Sequence, residues 1–397
     1  MHVRHPVLLS AAGRSGAGTF ALLFSLESVA RASIATVIPL QAFALLESTR
    51  AVSLTYTCVG IGGLIGSLFI PLLIRVVPRR WVYTIGGTGL IGAATLFAID
   101  GLGGLVGGLF LRVLATACLN VTLNLYILDN IPRGDLVRSE PLRLAVSGIA
   151  WTLCPSLGVI LYSRYGVAAA DGLSAAAALA LLATFWVIRV SDNPAISAAR
   201  TRPPDPLRNI GRFFGQPRLR LGWLIAFGRS SWWAHFFTFA PLYMVTAGHS
   251  EVESALLVSL GNAAILLNVL VGRIAARIGV RRVIIASYLV AGSASLAAAS
   301  LVPIGPSLAV AALLLVGSLG AANLDAVGNI PFLRAVRPLE RAQMASVFRT
   351  YIDMSELLPP AVFAALLSVF GLESVFAAAG VLMLAIALVA RSLPRGL

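Results

Sequence analysis

Lysine is absent from this chain of 397 residues: all 30 basic residues are arginine. The chain therefore has no lysine that could form a Schiff base or complete a phosphate-binding loop that ends in Gly-Lys. Histidine and cysteine are scarce, and they form no group with metal-ligand or catalytic spacing. The three cysteines lie inside hydrophobic runs, and their odd number argues against a disulfide framework. We therefore expect no metal, no cofactor and no enzymatic activity.

Charged residues are also few, since they make up 12% of the chain where soluble domains have about 25%. Hydrophobic residues make up 58%, and the mean hydropathy is +0.90. Because hydrophobic runs recur from end to end, we predict an all-α polytopic membrane protein with twelve transmembrane helices. The predicted spans are residues 17–40, 52–74, 81–99, 102–128, 143–163, 172–190, 219–245, 254–276, 283–303, 307–331, 345–369 and 373–392.

The positive charge is distributed unevenly between the two sets of loops. A formal charge of +14 would suit a nucleic-acid-binding protein, but the arginines concentrate at the termini and in alternate loops. The opposite loops are net acidic and include Glu47, Asp100, Asp171, Glu251, Glu253 and Glu373. By the positive-inside rule both termini are cytoplasmic. We expect a multi-pass protein of the bacterial inner membrane, with the lipid bilayer rather than nucleic acid as its partner.

A polar stretch rich in proline and arginine divides the chain into two halves of six spans. We predict an N-terminal six-helix bundle at 1–190, a cytoplasmic linker at 191–218 and a C-terminal six-helix bundle at 219–397. Within the linker, Leu207–Phe214 is predicted to form a short amphipathic helix on the membrane surface.

The two halves resemble each other in sequence. Arg79 corresponds to Arg281 at an offset of 281 − 79 = 202 residues. Asn120 corresponds to Asp325 at an offset of 325 − 120 = 205 residues. Such duplicated halves are typical of transporters whose substrate site lies near the bilayer midplane.

Two loops carry traces of a signature that reads roughly G-x-L-x-D-R-x-G-R-K. The second copy keeps two glycines and two arginines: Gly272, Arg277, Gly279 and Arg281. Ala276 stands where the acid belongs, and in the first copy Arg75 takes that place before Arg79 and Arg80. With the span count, halves, linker and orientation, these loops make the chain resemble the major facilitator superfamily.

The resemblance implies two pseudo-symmetric six-helix bundles that alternate access to a cavity lined by spans 1, 4, 7 and 10. In span 4 this family often has a buried arginine linked to proton coupling, and Arg112 is the matching residue. In span 5 its antiporter motif reads G-P-x-x-G-G. The partial match from Cys154 through Pro155 to Gly158 favours export.

Glu27 and Arg31 lie in the middle of the first span. A charge at this depth costs at least about 2.5–3.5 kcal/mol, so such residues normally face a protein interior or a hydrated cavity. Their spacing of four residues puts both on one helix face. In one interpretation Glu27 exchanges a proton, while Arg31 tunes its proton affinity or holds an anionic substrate. In the other, the two residues form a static ion pair.

Further charged residues lie within the predicted spans. Asp325 in span 10 is a candidate second titrating group or a helix–helix hydrogen-bonding group. Asp353 and Glu356 in span 11 share a helix face and are candidates for proton coupling or a gate. Arg112 and Arg229 are candidates to bind a carboxylate or phosphate, although Arg229 could instead extend to the cytoplasmic interface.

Trp232, Trp233 and His235 form an aromatic stretch in span 7. They either offer a wall to the substrate or belong to an interfacial belt. Amide side chains that could bind substrate or join helices are Asn120, Asn124, Asn262 and Asn329.

These features predict a monomeric, proton-coupled secondary transporter that exports a small organic compound, which the intramembrane arginines suggest is anionic. An importer of an organic anion, a sugar or a metal chelate is the alternative. A membrane receptor or scaffold that transports nothing is the hypothesis from another class.

Overall fold

The computed structural model describes residues 17–99, 101–130, 133–188, 206–337 and 341–394, and these residues form helices and no strand. The first helices are α1 (Ala17–Ala32), α2 (Val37–Leu46), α3 (Thr49–Val76), α4 (Arg79–Phe97), α5 (Leu102–Asn130), α6 (Arg133–Tyr165) and α7 (Val167–Val187). The following helices are α8 (Pro206–Phe214), α9 (Pro217–Thr246), α10 (Glu251–Ala263), α11 (Asn268–Ile278), α12 (Val280–Leu301), α13 (Ser307–Val327), α14 (Ile330–Ala335), α15 (Arg341–Phe348), α16 (Thr350–Leu366) and α17 (Glu373–Ala390). The predicted all-helical class is therefore confirmed.

Seven stretches of the described chain are long and apolar enough to cross a membrane, namely Gly18–Leu46, Leu102–Ile127, Val146–Tyr165, Val167–Val187, Val280–Leu301, Ser307–Ala335 and Glu373–Ala390. Two helices between Glu251 and Ile278, bent by 52° relative to each other, meet the same criteria together and add an eighth if they form one broken span. The remaining predicted spans lie on α3, α4, α9 and α16, which length and composition alone do not select. A multi-pass membrane protein is confirmed, while the count of twelve stays a prediction.

The chain divides into two compact units. Unit 1 is Met1–Ile34 with Ile65–Pro203, and unit 2 is Ala35–Leu64 with Pro204–Leu397. The segment Ala35–Leu64 thus packs with the later part of the chain, although the sequence assigns it to the N-terminal half. The predicted domain boundaries stay a prediction, and residues 189–205 of the linker region lie outside the described residues.

Unit 1 packs its helices around an aromatic cluster. The rings of Tyr83 on α4 and Phe185 on α7 are 4.4 Å apart between centroids, and Tyr126 on α5 lies 5.8 Å from Phe185. All three side chains are almost completely buried. Because α4, α5 and α7 meet through these rings, the cluster fixes the helices around the charged part of α1.

In unit 2, α8 docks on the bundle through an aromatic side chain. The predicted amphipathic helix is confirmed, since α8 covers Pro206–Phe214. Phe213 is fully buried and lies 6.3 Å from the ring of Phe332. Phe332 in turn stacks on Phe348 with centroids 4.0 Å apart. The helix is therefore held by protein contacts at this position, in addition to any contact with lipid.

Candidate functional site

The first span is interrupted at residues 33–36, between α1 and α2. A helix end leaves its last carbonyl groups without backbone partners. Here the carbonyl of Ala30 accepts a hydrogen bond of 2.6 Å from Ser174 Oγ on α7. The carbonyl of Arg31 accepts one of 3.4 Å from Arg112 Nη2 on α5. Arg112 therefore caps the broken helix, a role that its spacing in the sequence does not reveal.

The backbone of α6 approaches the same interruption at Gly158. A Cβ atom built on Gly158 would collide with the carbonyl oxygen of Ser33. Gly158 is the last residue of the partial antiporter motif. The packing of α6 against α1 requires a glycine at this position. It lets α6 lie against the end of α1 more closely than any larger residue allows.

We expect Gly158→Ala to destabilise the protein by about 1–3 kcal/mol, as overpacking against backbone usually does. Gly172→Ala is the matched control, because Gly172 on neighbouring α7 is exposed and has open space around its Cβ position. Thermal unfolding in detergent should show a lower midpoint for Gly158→Ala and no decrease for Gly172→Ala. Equal midpoints for the two variants would contradict the close approach.

Glu27 and Arg31 form an ion pair on α1, with 3.5 Å between Arg31 Nη1 and Glu27 Oε1. The Glu27 side chain is 1% exposed, whereas the Arg31 side chain is 23% exposed. The guanidinium carbon of Arg31 lies 5.7 Å from the ring centroid of Trp151 on α6. Arg31 Nε makes no hydrogen bond to a described residue. Arg31 is thus the more exposed member of the pair, although its Nε atom is buried.

A second buried ion pair lies in unit 2, where Arg229 Nε on α9 is 3.3 Å from Asp325 Oδ1 on α13. Arg229 Nη1 donates to Asn329 Oδ1 at 3.4 Å, and Nη2 donates to the Tyr351 hydroxyl at 2.9 Å. Arg229 is only 8% exposed. The expectation that it extends to the cytoplasmic interface is therefore wrong, because buried acceptors hold its guanidinium inside the bundle.

Trp233 completes the environment of Asp325. Its indole nitrogen donates to Asp325 Oδ2 at 2.9 Å, so both carboxylate oxygens have partners. The Asp325 side chain is still 25% exposed. The structure therefore joins four residues that the sequence nominated separately, namely Arg229, Trp233, Asp325 and Asn329.

Trp232 and His235 face other helices. Trp232 is fully buried and donates to Ser295 Oγ on α12 at 3.2 Å, which places it in the interior of the unit and away from an interfacial belt. His235 is 1% exposed and lies 6.3 Å from the ring of Phe363. His235 also lines a small cavity together with Ser53 and other residues of unit 2.

The other predicted site residues are dispersed. Asn120 and Asn124 on α5 and Asp353 on α16 are half-buried, and Glu356 on α16 is exposed. Asn262 is buried and donates to the Val258 carbonyl of its own helix at 3.1 Å. A substrate contact at these residues stays a prediction.

The signature loop between α11 and α12 has a structural role within unit 2. Gly279 has a φ of +94°, a conformation that side chains other than glycine rarely adopt. Arg281 Nη2 donates to the Arg391 carbonyl at 2.6 Å and so caps the end of α17. Gly272 and Arg277 lie in α11, and Arg79 and Arg80 lie in the first turn of α4. The side chain of Arg75 lies outside the described part.

Asp171 corrects the sequence interpretation. We placed it in a loop, but it lies in the second turn of α7 and is only 3% exposed. The hydrophobic run that begins at residue 172 concealed this, because helix α7 already begins at Val167.

Buried charges on helices that are long and apolar enough to cross a bilayer indicate a polytopic membrane protein with a functional interior. The profile of the Major Facilitator Superfamily matches residues 20–267, which is more than half of the chain. The chain therefore belongs to the major facilitator superfamily, and the predicted family fold is confirmed. A comparison with curated proteins found no match.

Solved structures of transporters have the same fold at low sequence identity. A POT family transporter in complex with 5-aminolevulinic acid has a TM-score of 0.74 and 13% identity, with 95% of each chain covered. The nucleoside transporter NupG has a TM-score of 0.71 and 14% identity, with 95% of this chain and 99% of NupG covered. A bacterial homologue of the iron transporter ferroportin has a TM-score of 0.69 and 14% identity, with 98% and 100% covered.

Proposed function

We propose that the protein is a proton-coupled transporter that moves a small organic anion across the bacterial inner membrane. The observation that carries this proposal is the ion pair of fully buried Glu27 with partly exposed Arg31 at the end of a broken helix. Membership of the superfamily supports secondary transport as the general activity. The proton, the direction and the anionic substrate are our own assignments.

The coupling follows from competition for Arg31. An anionic substrate can bind the exposed part of the Arg31 side chain, which is 23% exposed and lies beside the ring of Trp151. When Arg31 turns to the substrate, Glu27 loses its cation in a buried position. A buried carboxylate without a cation is costly, so Glu27 takes up a proton. Substrate release returns Arg31 to Glu27 and expels that proton, so this route carries the proton and the anion in the same direction.

Two arginines support an anionic substrate. Arg31 and Arg112 both lie near the interruption of the first span. A guanidinium group can bind a carboxylate or phosphate with two parallel hydrogen bonds.

The partial antiporter motif that ends at Gly158 favours export, whereas competition for Arg31 carries the proton and the anion together and so favours import under an inward proton gradient. The orientation rests on the distribution of arginine over the loops. Asp325, Asp353 and Glu356 remain our candidates for additional proton-coupling groups. We propose that both termini are cytoplasmic and that a monomer is the working unit. Import of an organic anion, sugar or metal chelate is the alternative direction.

Ligand screening followed by flux measurement tests the proposal. Organic anions, cations and sugars are screened by thermal shift with purified protein, because a ligand stabilises the folded state according to RT ln(1 + [L]/Kd). We expect anions to raise the unfolding midpoint of the wild type but not of Arg31→Ala. In vesicles, a pH gradient should then drive the selected anion in the same direction as the proton. Stabilisation by cations alone, or no flux in either direction, would contradict the proposal.

A further inference from the structure

Asp171 is a buried carboxyl group that the proposed coupling mechanism does not use. It is 3% exposed, and its Oδ2 atom has no hydrogen-bond partner among the described residues. A carboxylate in such a position is costly unless it is paired with a cation or carries a proton. No ion pair with Asp171 occurs in the described part of the chain.

The position of Asp171 relates it to the interruption of the first span. Asp171 and Ser174 are three residues apart on α7 and therefore share a helix face. Ser174 Oγ donates to the Ala30 carbonyl at the end of α1. Ala30 in turn lies three residues after Glu27 on α1. Asp171 is thus about one helical turn along α7 from the hydrogen bond between Ser174 and Ala30. Glu27 is about one turn along α1 from the same hydrogen bond.

Among the described residues of the helices that pack against α7, no charged side chain forms an ion pair with Asp171. On α1 the charged groups are Glu27 and Arg31, which pair with each other. On α4 the charged residues are Arg79 and Arg80. Both lie in the first turn of α4, whereas its other end leads into the loop before α5. On the described part of α6, Arg164 is exposed.

Asp171 lies close to one surface of the membrane. Tyr165 is 72% exposed, and Gly166 after it is exposed as well. Asp171 follows Gly166 by five residues, which is roughly 7 Å along a helix. In the orientation that we propose, this surface is extracytoplasmic.

We propose that Asp171 is a second proton-binding site, at which the protein takes up a proton from the extracytoplasmic side. Water on that side donates the proton to the unpaired Oδ2 atom, and the neutral carboxyl group removes the cost of a buried negative charge. This inference deepens the proposed function and rests on it for the use of the proton. The existence of the protonated carboxyl group, however, can be tested without any substrate.

Infrared difference spectroscopy of the purified protein in lipid tests the site. At neutral pH we expect the wild type to show the C=O stretch of a protonated carboxyl group. Asp171→Asn should lose this band, and Glu27→Gln should keep it. Glu47→Gln, which changes an exposed carboxyl group, is the matched control and should leave the spectrum unchanged.

Isotope labelling of the wild type tests whether the band arises from an aspartate without any substitution, so this result does not depend on how well a variant folds. In wild-type protein grown with aspartate labelled with carbon-13 at the side-chain carboxyl, the same band should move to lower frequency. A band that does not move, or one that Asp171→Asn retains, would overturn the proposal. If the site is confirmed but no substrate flux is found, only the proposed function fails, because the spectrum does not depend on transport.

Discussion

Glu27→Gln is expected to abolish transport driven by a pH gradient while leaving substrate exchange intact. Glutamine has nearly the shape of glutamate but can neither release nor bind a proton in this range. Because Glu27 is fully buried beside Arg31, no solvent group can replace its carboxylate. Accumulation against a gradient should fall to background in vesicles, whereas exchange of labelled for unlabelled substrate should continue.

The control for this experiment is Glu47→Gln, which removes an exposed carboxylate and should transport like the wild type. Arg31→Lys is informative as well, because lysine keeps the charge but cannot bind a carboxylate with two parallel hydrogen bonds. We expect this variant to have a raised KM and retained proton dependence. Unchanged gradient-driven accumulation by Glu27→Gln would mean that Glu27 only stabilises the first span.

Arg229→Met is expected to give the largest loss of stability. Removing one member of a buried ion pair typically costs about 3–5 kcal/mol, because the remaining charge is left without a partner. Here the substitution also leaves Asn329 Oδ1 and the Tyr351 hydroxyl without their donor. The unfolding midpoint should therefore decrease by far more than for Arg218→Met, which changes an exposed arginine of the same helix.

The double variant Arg229→Met/Asp325→Leu distinguishes the ion pair from simple packing. If the loss arises from the unpaired carboxylate of Asp325, then removing this group as well should recover much of the stability. An additive loss in the double variant, or equal midpoints for Arg229→Met and Arg218→Met, would show that the pair contributes little.

One part of the site could be predicted from the spacing of residues along a single helix. Helical spacing alone predicts that Glu27 and Arg31 are neighbours, since residues four apart meet on a helix face, and the structure places them 3.5 Å apart. Hydropathy likewise locates the helices, and the loop signature with the duplicated halves indicates the superfamily. These features depend on residues that are close in the sequence or on the composition of single segments.

Contacts between distant segments were beyond sequence reasoning. Arg229 and Asp325 are 96 residues apart, since 325 − 229 = 96, and nothing local indicates that they pair. The interruption at residues 33–36 contains neither glycine nor proline. The carbonyl groups of Ala30 and Arg31, just before it, accept hydrogen bonds from Ser174 and Arg112 on other helices. The burial of Asp171 was missed for the same reason, because its neighbours come from helices packed around α7.

The account depends most directly on the movement of protons with substrate. A pH-sensitive dye inside vesicles that contain the purified protein measures this movement when the identified substrate is added. We predict a change of internal pH that requires substrate, is lost in Glu27→Gln and is retained in Glu47→Gln. Substrate flux without any change of pH, or a change that persists in Glu27→Gln, would contradict proton coupling through Glu27.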